Sequence, residues 1–220
     1  MLLYIADLLD AATVARLQVW LAQAEFTDGR ATAGSEARKV KHNEQVDRTD
    51  PDLANMQMLV TKRLQEHRLF TMGARPKIIR PPLFSRYVPG MNYGSHVDNA
   101  LMSGMRTDLS LTVFLSSPES YEGGELVIES TAGEQDIKLP AGSAVLYPTT
   151  ALHRVAPVAS GQRLAAVTWV RSLVRDAAAR EILFDLETAR HSLSERLGKA
   201  PELDLLSKTQ ANLLRRWVED

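Results

Sequence analysis

Residues 107–117 read TDLSLTVFLSS, and this stretch decides the fold class. Apolar residues alternate with others along it, which is the period of a β-strand with one face on a core. The apolar positions on that face are Leu109, Leu111, Val113 and Leu115. Gly or Pro recurs around the stretch, at 89–90, 118, 123–124, 140–142, 148 and 157. Short strands at such spacing predict a sandwich or barrel between residues 77 and 172.

Helical periodicity precedes this β region. Residues 10–26 carry apolar side chains at helical spacing, with Asp10 or Thr13 as the N-cap. The pair Asp50–Pro51 predicts the start of a second helix, because Pro is favoured at the first helical position, and that helix should run to about Phe70. The N-terminal part of the chain is therefore predicted to be helical.

A polar segment, residues 27–46, separates these two helices. Gly29 and Gly34 interrupt it, so we expect a loop, and long loops are often lids or binding loops. The segment also carries Asn43 and four basic residues, Arg30, Arg38, Lys39 and Lys41. Its positive charge fits an anionic or carbonyl-rich substrate, and it fits a merely solvated loop equally well.

The helical period returns after the β region, over residues 176–198 and 201–220. We therefore predict an α+β chain with a β core flanked by N-terminal and C-terminal α-helices. Its three parts are N-terminal helices and a polar loop (1–77), the β domain (78–175) and a C-terminal helical extension (176–220). The first C-terminal helix carries an apolar stripe of Ile182, Leu183, Leu186, Ala189, Leu193 and Leu197. This stripe fits ordinary packing on the core, and it also fits a homodimer interface.

Composition limits the function classes. The 220 residues carry a formal net charge of −1 with a sequence pI of about 6.5, so no global field favours nucleic acid or an anionic membrane. Cysteine is absent, which excludes disulfides and thiolate metal sites. The start, MLLYIADLLD, has neither a basic n-region nor a cleavage site, and no apolar run reaches membrane-spanning length. We expect a cytoplasmic protein without a membrane or nucleic-acid partner.

The chemistry-bearing residues lie inside the β region. Residues 93–102 read YGSHVDNALM, in which His96 and Asp98 are two apart and project to one face of a strand. His153 lies on a later predicted strand. Two imidazoles and one carboxylate on one face of a metal leave coordination positions open, which is typical of non-haem Fe(II) oxygenases.

Arg163 follows His153 by ten residues. A turn at Ser160–Gly161 should return the chain antiparallel beside the His153 strand. Strand parity places Arg163 on an otherwise apolar face, where a guanidinium needs an anionic partner. That partner is either a bound carboxylate, gripped by two nitrogens, or a carboxylate at the edge of the core such as Glu125.

Together these segments resemble a known family. RYVPGMNYGSHVDN (86–99), YEGGEL (121–126), the His153 segment and Arg163 are similar to prolyl-hydroxylase-like Fe(II)/2-oxoglutarate dioxygenases, and most similar to the bacterial PKHD-type hydroxylases. The similarity covers residues 78–175, and DGRATAG and ILFDL in the flanks resemble the same group.

The resemblance implies a double-stranded β-helix (jelly roll) and a hydroxylase that couples oxidative decarboxylation of 2-oxoglutarate to substrate hydroxylation. It implies Fe²⁺ held by His96, Asp98 and His153, with 2-oxoglutarate anchored by Arg163. Tyr87 and Tyr93 match tyrosines that border the co-substrate in that family. Both positions fit ordinary aromatic residues of the barrel wall equally well.

Further expectations follow from the same resemblance. L-ascorbate is expected as an accessory reductant, O₂ as co-substrate, and iron uptake as the physiological context. The primary substrate stays open between a peptidyl residue and a small molecule. The alternative function is a non-catalytic, cupin-like jelly roll that senses 2-oxoglutarate or iron.

Overall fold

The computed structural model describes residues 1–219; Asp220, the last residue of the expected C-terminal extension, lies outside them. The helices are α1 Ala11–Gln23, α2 Ser35–Lys39, α3 Leu53–Glu66, α4 Arg68–Ala74, α5 Ala177–Leu197 and α6 Pro201–Trp217. The strands before Asp98 are β1 Leu3–Ile5, β2 Phe26–Asp28, β3 Lys41–His42, β4 Glu44–Val46, β5 Pro76–Ile79, β6 Leu83–Tyr87 and β7 Asn92–His96. The strands after Asp98 are β8 Leu101–Met102, β9 Met105–Arg106, β10 Leu109–Phe114, β11 Tyr121–Gly123, β12 Leu126–Ser130, β13 Gly133–Ile137, β14 Ala144–Pro148, β15 His153–Val155, β16 Val158–Gly161 and β17 Arg163–Ser172. The chain is thus a mixed α and β structure.

Two larger sheets form the β region. The eight-stranded sheet runs β1-β14-β10-β17-β6-β4-β2, with β5 also paired to β17. The five-stranded sheet runs β13-β12-β15-β7-β3, and two short pairs, β11-β16 and β8-β9, lie outside both. A buried cluster contains Phe114 and Tyr147 of the first sheet with Leu126 and Val155 of the second, so the two sheets pack against each other.

Strand β10 occupies the middle of the larger sheet, and every one of its residues is buried. Leu109, Leu111, Val113 and the following Leu115 pack into the main apolar core beneath α1 and α3, which confirms their predicted common face. The alternate residues face the smaller sheet. The period-two pattern in this strand therefore separates an apolar core from an internal cavity, and neither face meets bulk water.

The N-terminal helices differ from their predicted limits. Asp10 caps α1, because its Oδ1 accepts a hydrogen bond from the Thr13 amide at 2.7 Å. The second helix begins at Leu53, since Asp50 Oδ1 accepts from the Asp52 amide at 2.9 Å in a turn that precedes the helix. His67 is extended and divides the predicted single helix into α3 and α4.

The segment 27–46, expected to be a loop, is instead structured. It contains a 3-10 helix, Gly29–Thr32, followed by α2, β3 and β4. Strand β3 pairs with β7 of the smaller sheet, whereas β4 pairs with β6 of the larger one. The chain therefore crosses from one sheet to the other at Asn43, and this crossing closes one side of the space between the sheets.

The C-terminal helices pack on each other and on α4. Leu183 is fully buried with Val174 and Ala179, and Arg75 bonds Glu187 at 2.6 Å between α4 and α5. Ile182 and Leu197 of the predicted stripe are 50% and 56% exposed, so only part of the stripe packs on this chain. Among residues 1–219, no helix combines the length and the apolar character needed to cross a bilayer.

Candidate active site

His96 and His153 face each other across two paired strands. Strands β7 and β15 run antiparallel with these two residues in register, so their side chains project to the same side of the sheet. Asp98 follows the end of β7. Its Oδ1 lies 4.0 Å from His96 Nε2, and its Oδ2 lies 3.7 Å from His153 Nε2. One ligand atom from each residue lies within 4.8 Å of the others, which brings the three predicted ligands together.

Backbone carbonyls orient both imidazoles. His96 Nδ1 lies 2.8 Å from the Gly94 carbonyl, and His153 Nδ1 lies 3.1 Å from the Ala151 carbonyl. If Nδ1 carries the proton and donates in each ring, both Nε2 lone pairs face Asp98, which is the arrangement of a metal-binding histidine. Burial, and then the neighbouring His153, lower the pKa of His96 to about 4, so His96 is neutral near pH 7 and can act as a ligand.

A side-chain hydrogen bond orients Asp98. Ser110 Oγ of β10 donates a hydrogen bond to Asp98 Oδ2 at 2.6 Å, across the gap between the sheets. Tyr93 stacks on His96 with ring centroids 3.6 Å apart, and Tyr147 meets the His153 ring edge-on at 5.1 Å. These contacts restrict the rotamers of all three residues, so the set is organised before anything binds.

Arg163 lies on the opposite wall. The chain does not return beside the His153 strand as predicted, because Val158–Gly161 pairs with β11 instead, and β17 belongs to the larger sheet. Arg163 is 2% exposed, with its guanidinium carbon 5.1 Å from the Tyr87 ring centroid and 5.6 Å from that of Phe114. Its Nε makes no hydrogen bond within the described residues.

Arg163 does not pair with Glu125, the alternative partner that the sequence offered. Glu125 Oε1 lies 4.0 Å from Lys138 Nζ instead. Within residues 1–219, no carboxylate lies within 4.0 Å of the Arg163 guanidinium. A buried guanidinium without an anion is costly, so the site is suited to a carboxylate that arrives with a ligand.

Gly124 makes room for Arg163. This residue has φ +67°, and a Cβ built on it would lie 3.1 Å from Arg163 Cδ and 3.0 Å from Val158 Cγ2. The double glycine at 123–124 has the positive φ expected of a tight turn. The two glycines link β11, which pairs with β16, to β12, which pairs with β13 and β15.

A cavity joins the three-residue cluster to Arg163. Tyr87 and Tyr93 both line it, next to Arg163 and His96 respectively. Residues that sequence reasoning did not assign to the site also line it: Thr32, Asn43, Gln45, Thr112, Tyr147 and Trp169. The alternation in TDLSLTVFLSS could have assigned Ser110 and Thr112 to the site. A polar face on a fully buried strand must meet a polar partner.

Comparison with known proteins identifies the family. The 2OG-Fe(II) oxygenase superfamily model matches residues 82–171, and the PKHD-type hydroxylase C-terminal domain matches residues 177–219. A PKHD-type hydroxylase of Synechococcus elongatus is 55% identical over 223 residues, covering 100% of both chains. The chain belongs to the PKHD-type hydroxylase family. Another family member, from Maricaulis maris, is 50% identical over 100% of both chains.

Solved structures share the fold of this PKHD-type hydroxylase at low identity. A prolyl hydroxylase from Trichoplax adhaerens, in complex with a peptide fragment, has a TM-score of 0.57 at 14% identity and covers 77% of this chain and 82% of its own. The viral collagen prolyl hydroxylase of Paramecium Bursaria Chlorella virus-1, as a 2OG complex, has a TM-score of 0.54 at 19% identity, with coverage of 78% and 95%. These two likenesses show the fold alone.

Family membership makes this PKHD-type hydroxylase an Fe(II)- and 2-oxoglutarate-dependent dioxygenase. The residues present fit that requirement. Two imidazoles and a carboxylate are ligands that Fe(II) accepts, and His96, Asp98 and His153 are the one group of this kind among residues 1–219 that is placed to hold a metal ion. The His-Asp-His cluster therefore offers a set of ligands suited to iron at one wall of the cavity.

Proposed function

We propose that His96, Asp98 and His153 hold Fe²⁺ and that Arg163 anchors the C5 carboxylate of 2-oxoglutarate, within a double-stranded β-helix. One observation carries this assignment. A three-ligand cluster on the smaller sheet faces a buried guanidinium without a carboxylate partner on the larger sheet, across one cavity. A dicarboxylate that spans the cavity would bind at the ligand cluster with one end and pair with Arg163 at the other.

The bound metal and 2-oxoglutarate supply the oxidising chemistry, in which decarboxylation of the keto acid by O₂ is coupled to hydroxylation of a substrate. The residues of this chain position the metal and 2-oxoglutarate and shield them from water. Ser110 and the two backbone carbonyls hold the three ligands, and Tyr87 and Phe114 flank the guanidinium. Burial of Arg163 excludes water from its carboxylate, which strengthens a two-pronged ion pair.

Tyr87 and Tyr93 are proposed as co-substrate contacts. Tyr87 is 4% exposed, lines the cavity, and sits opposite Arg163 in the register of β6 and β17. Burial raises the pKa of both tyrosines, so each hydroxyl keeps its proton and can donate a hydrogen bond to a carboxylate oxygen.

The sensing alternative accounts for less. A structural metal site is closed by four protein ligands, whereas the described residues offer three at this point. Open positions argue against a purely structural site, and the hydroxylase names of the relatives favour catalysis over sensing. The hydroxylase assignment therefore accounts for the three-ligand cluster, the cavity and Arg163 together.

Several expectations stay predictions. We propose a peptidyl or small-molecule substrate, ascorbate as an accessory reductant, and a cytoplasmic enzyme linked to iron uptake. The division into 1–77, 78–175 and 176–220 also stays a prediction of domain organisation. The homodimer through the C-terminal helices is tested below.

The test begins with anaerobic protein, Fe(II) and 2-oxoglutarate. We expect the charge-transfer absorption band of 2-oxoglutarate chelated to Fe(II), and succinate once O₂ is admitted. His96→Ala and Asp98→Ala should lose both signals while remaining folded. Equally tight Fe(II) binding by these variants would show that the ligand assignment is wrong. Wild-type protein with cell extract is then searched by mass spectrometry for products one oxygen atom heavier.

A further inference from the structure

Lys41 is a second buried cation in the cavity. It is 7% exposed, lines the same cavity as the His-Asp-His cluster, and lies directly opposite Tyr93 in the pairing of β3 with β7. Its Nζ donates to Thr32 Oγ1 at 3.0 Å and sits 5.2 Å from the Tyr93 ring centroid. Among the residues that the structure describes, no carboxylate lies within 4.0 Å of this ammonium group.

The polar side chains around Lys41 are incompletely satisfied. Asn43 is 3% exposed, and neither polar atom of its side chain makes a well-formed hydrogen bond. Trp169 Nε1, on the facing wall, is also buried without an acceptor. Buried polar atoms are normally paired, and exceptions call for an explanation such as a bound ligand. These groups offer an ammonium, an indole N–H and an amide to the cavity.

Charge balance favours an acidic occupant near Lys41. Asp98 is the one carboxylate among the described residues that line the cavity, and Lys41 and Arg163 are the two basic residues there. Fe²⁺ would add two positive charges, and 2-oxoglutarate would bring two negative ones. With both bound the cavity keeps one net positive charge, and Lys41 is the cation that neither carboxylate of 2-oxoglutarate is assigned to.

We infer that Lys41, with Thr32 and Asn43, forms a subsite that binds a carboxylate group of the primary substrate. The inference rests on the proposed function and names the substrate class: an acid whose oxidisable C–H is held near the metal by its own carboxylate. Burial lowers the pKa of Lys41 to about 8, and the attraction of Asp98 opposes that shift, so the group is mostly charged near neutral pH.

Lys39 provides a matched control. It lies two residues before Lys41, its side chain is 67% exposed, and it pairs with Glu36 at 2.7 Å on the surface of α2. Lys39→Met removes the same charge from the same segment without touching the cavity. Lys41→Met and Lys41→Gln remove the buried charge with an apolar and a polar replacement of similar length. Loss of a buried unpaired cation should leave the melting temperature equal or higher.

The experiment uses the full chain loaded with Mn²⁺ and saturating 2-oxoglutarate. Trifluoroacetate is the carboxylate probe and trifluoroethanol its uncharged counterpart, each followed by ¹⁹F line broadening from the paramagnetic metal. We expect wild type and Lys39→Met to broaden trifluoroacetate and not trifluoroethanol. Both Lys41 variants should bind trifluoroacetate roughly 10–100-fold more weakly, the loss of one charge-assisted hydrogen bond.

Two outcomes would overturn the subsite: unchanged trifluoroacetate affinity in both Lys41 variants, or equal broadening of the two probes by wild type. Failure of the proposed function is separately visible, because 2-oxoglutarate would then not bind to Mn²⁺-loaded wild type at all. Unchanged 2-oxoglutarate affinity in the Lys41 variants is required, since Arg163 is the residue assigned to that molecule.

Discussion

His96 and His153 lie directly opposite each other on adjacent antiparallel strands, with ring centroids 4.3 Å apart. Their spacing is set by the register of the sheet, so the backbone itself holds the two imidazoles at metal-sharing distance. Asp98 has no such support, because it follows the end of its strand. Its orientation depends on the hydrogen bond from Ser110.

Ser110→Ala should therefore weaken Fe(II) binding. Loss of a partner that orients a metal ligand typically lowers metal affinity 10–100-fold, and we expect a change within that range. Competition between the apoprotein and a chromophoric Fe(II) chelator measures it. Ser95→Ala is the control, because Ser95 precedes His96 but bonds Glu129 at the surface. Equal affinity in Ser110→Ala and wild type would show that Asp98 needs no second support.

Arg163→Ala should raise the KM for 2-oxoglutarate roughly a thousand-fold. A buried carboxylate left without its cation loses about 3–5 kcal/mol of binding free energy. Fe(II) affinity should change little, because the guanidinium lies on the wall opposite the metal ligands. Succinate formation at varied 2-oxoglutarate measures the KM. The control is Arg154→Ala, which removes a surface ion pair with Glu134 next to His153 and should keep the wild-type KM. An unchanged KM in Arg163→Ala would show that another residue binds the carboxylate of 2-oxoglutarate.

Gly124→Ala should raise the same KM and lower stability. The added methyl would crowd Arg163 Cδ and Val158, and Ala at φ +67° is itself strained by about 1–2 kcal/mol. Gly133→Ala separates the two effects, because Gly133 has φ +109° and no atom within 4 Å of an added Cβ. Both variants should melt at lower temperature, and Gly124→Ala alone should bind 2-oxoglutarate more weakly. The same KM in both variants would remove Gly124 from the co-substrate site.

The metal-free protein should lose stability on acidification. The pKa of His96 is about 4 in the folded state, below the ordinary value of 6.5, so between these pH values the unfolded chain binds the proton more readily. The stability associated with neutral His96 is complete above pH 6.5 and is lost as pH falls to about 4. Urea unfolding of apoprotein from pH 7 to pH 4 measures this. His96→Asn should have a shallower slope, and parallel slopes would contradict the shift.

Leu205→Glu should convert a homodimer into a monomer, if the C-terminal helices form the interface. Leu205 of α6 is 62% exposed, and Ile182 and Leu197 of α5 are half exposed on the same helical extension. Light scattering at micromolar concentration should give twice the 24.4 kDa chain mass for wild type and the single chain mass for the variant. A wild-type mass of 24.4 kDa would exclude the dimer.

Local patterns predicted the fold better than they predicted its pairings. The alternation in TDLSLTVFLSS identified the core face of β10, because that face depends only on strand period. The position of β17 could not be read the same way. Its partners β6 and β10 are distant in sequence, and a turn signal at Ser160–Gly161 does not show which sheet the next strand joins.

The segment 27–46 was the largest error, and its cause is physical. Short strands such as Lys41–His42 and Glu44–Val46 are stabilised by pairing with β7 and β6, and too few residues are involved to produce a hydrophobic period. The positive charge of the segment was visible in the sequence. The burial of Lys41 inside the cavity was not, because it depends on the crossing at Asn43.

Strand β10 divides two properties of the protein between neighbouring positions. Leu111 and Val113 contact the core beneath the helices, whereas Ser110 bonds Asp98 and Thr112 lines the cavity. A saturation-mutagenesis scan of this strand should therefore show an odd–even split, in which odd positions change protein abundance and even positions change turnover in protein that still accumulates. Selection could alter the preferred substrate through the even positions with little effect on folding. Substrate preference and stability can therefore evolve separately at neighbouring residues of one strand.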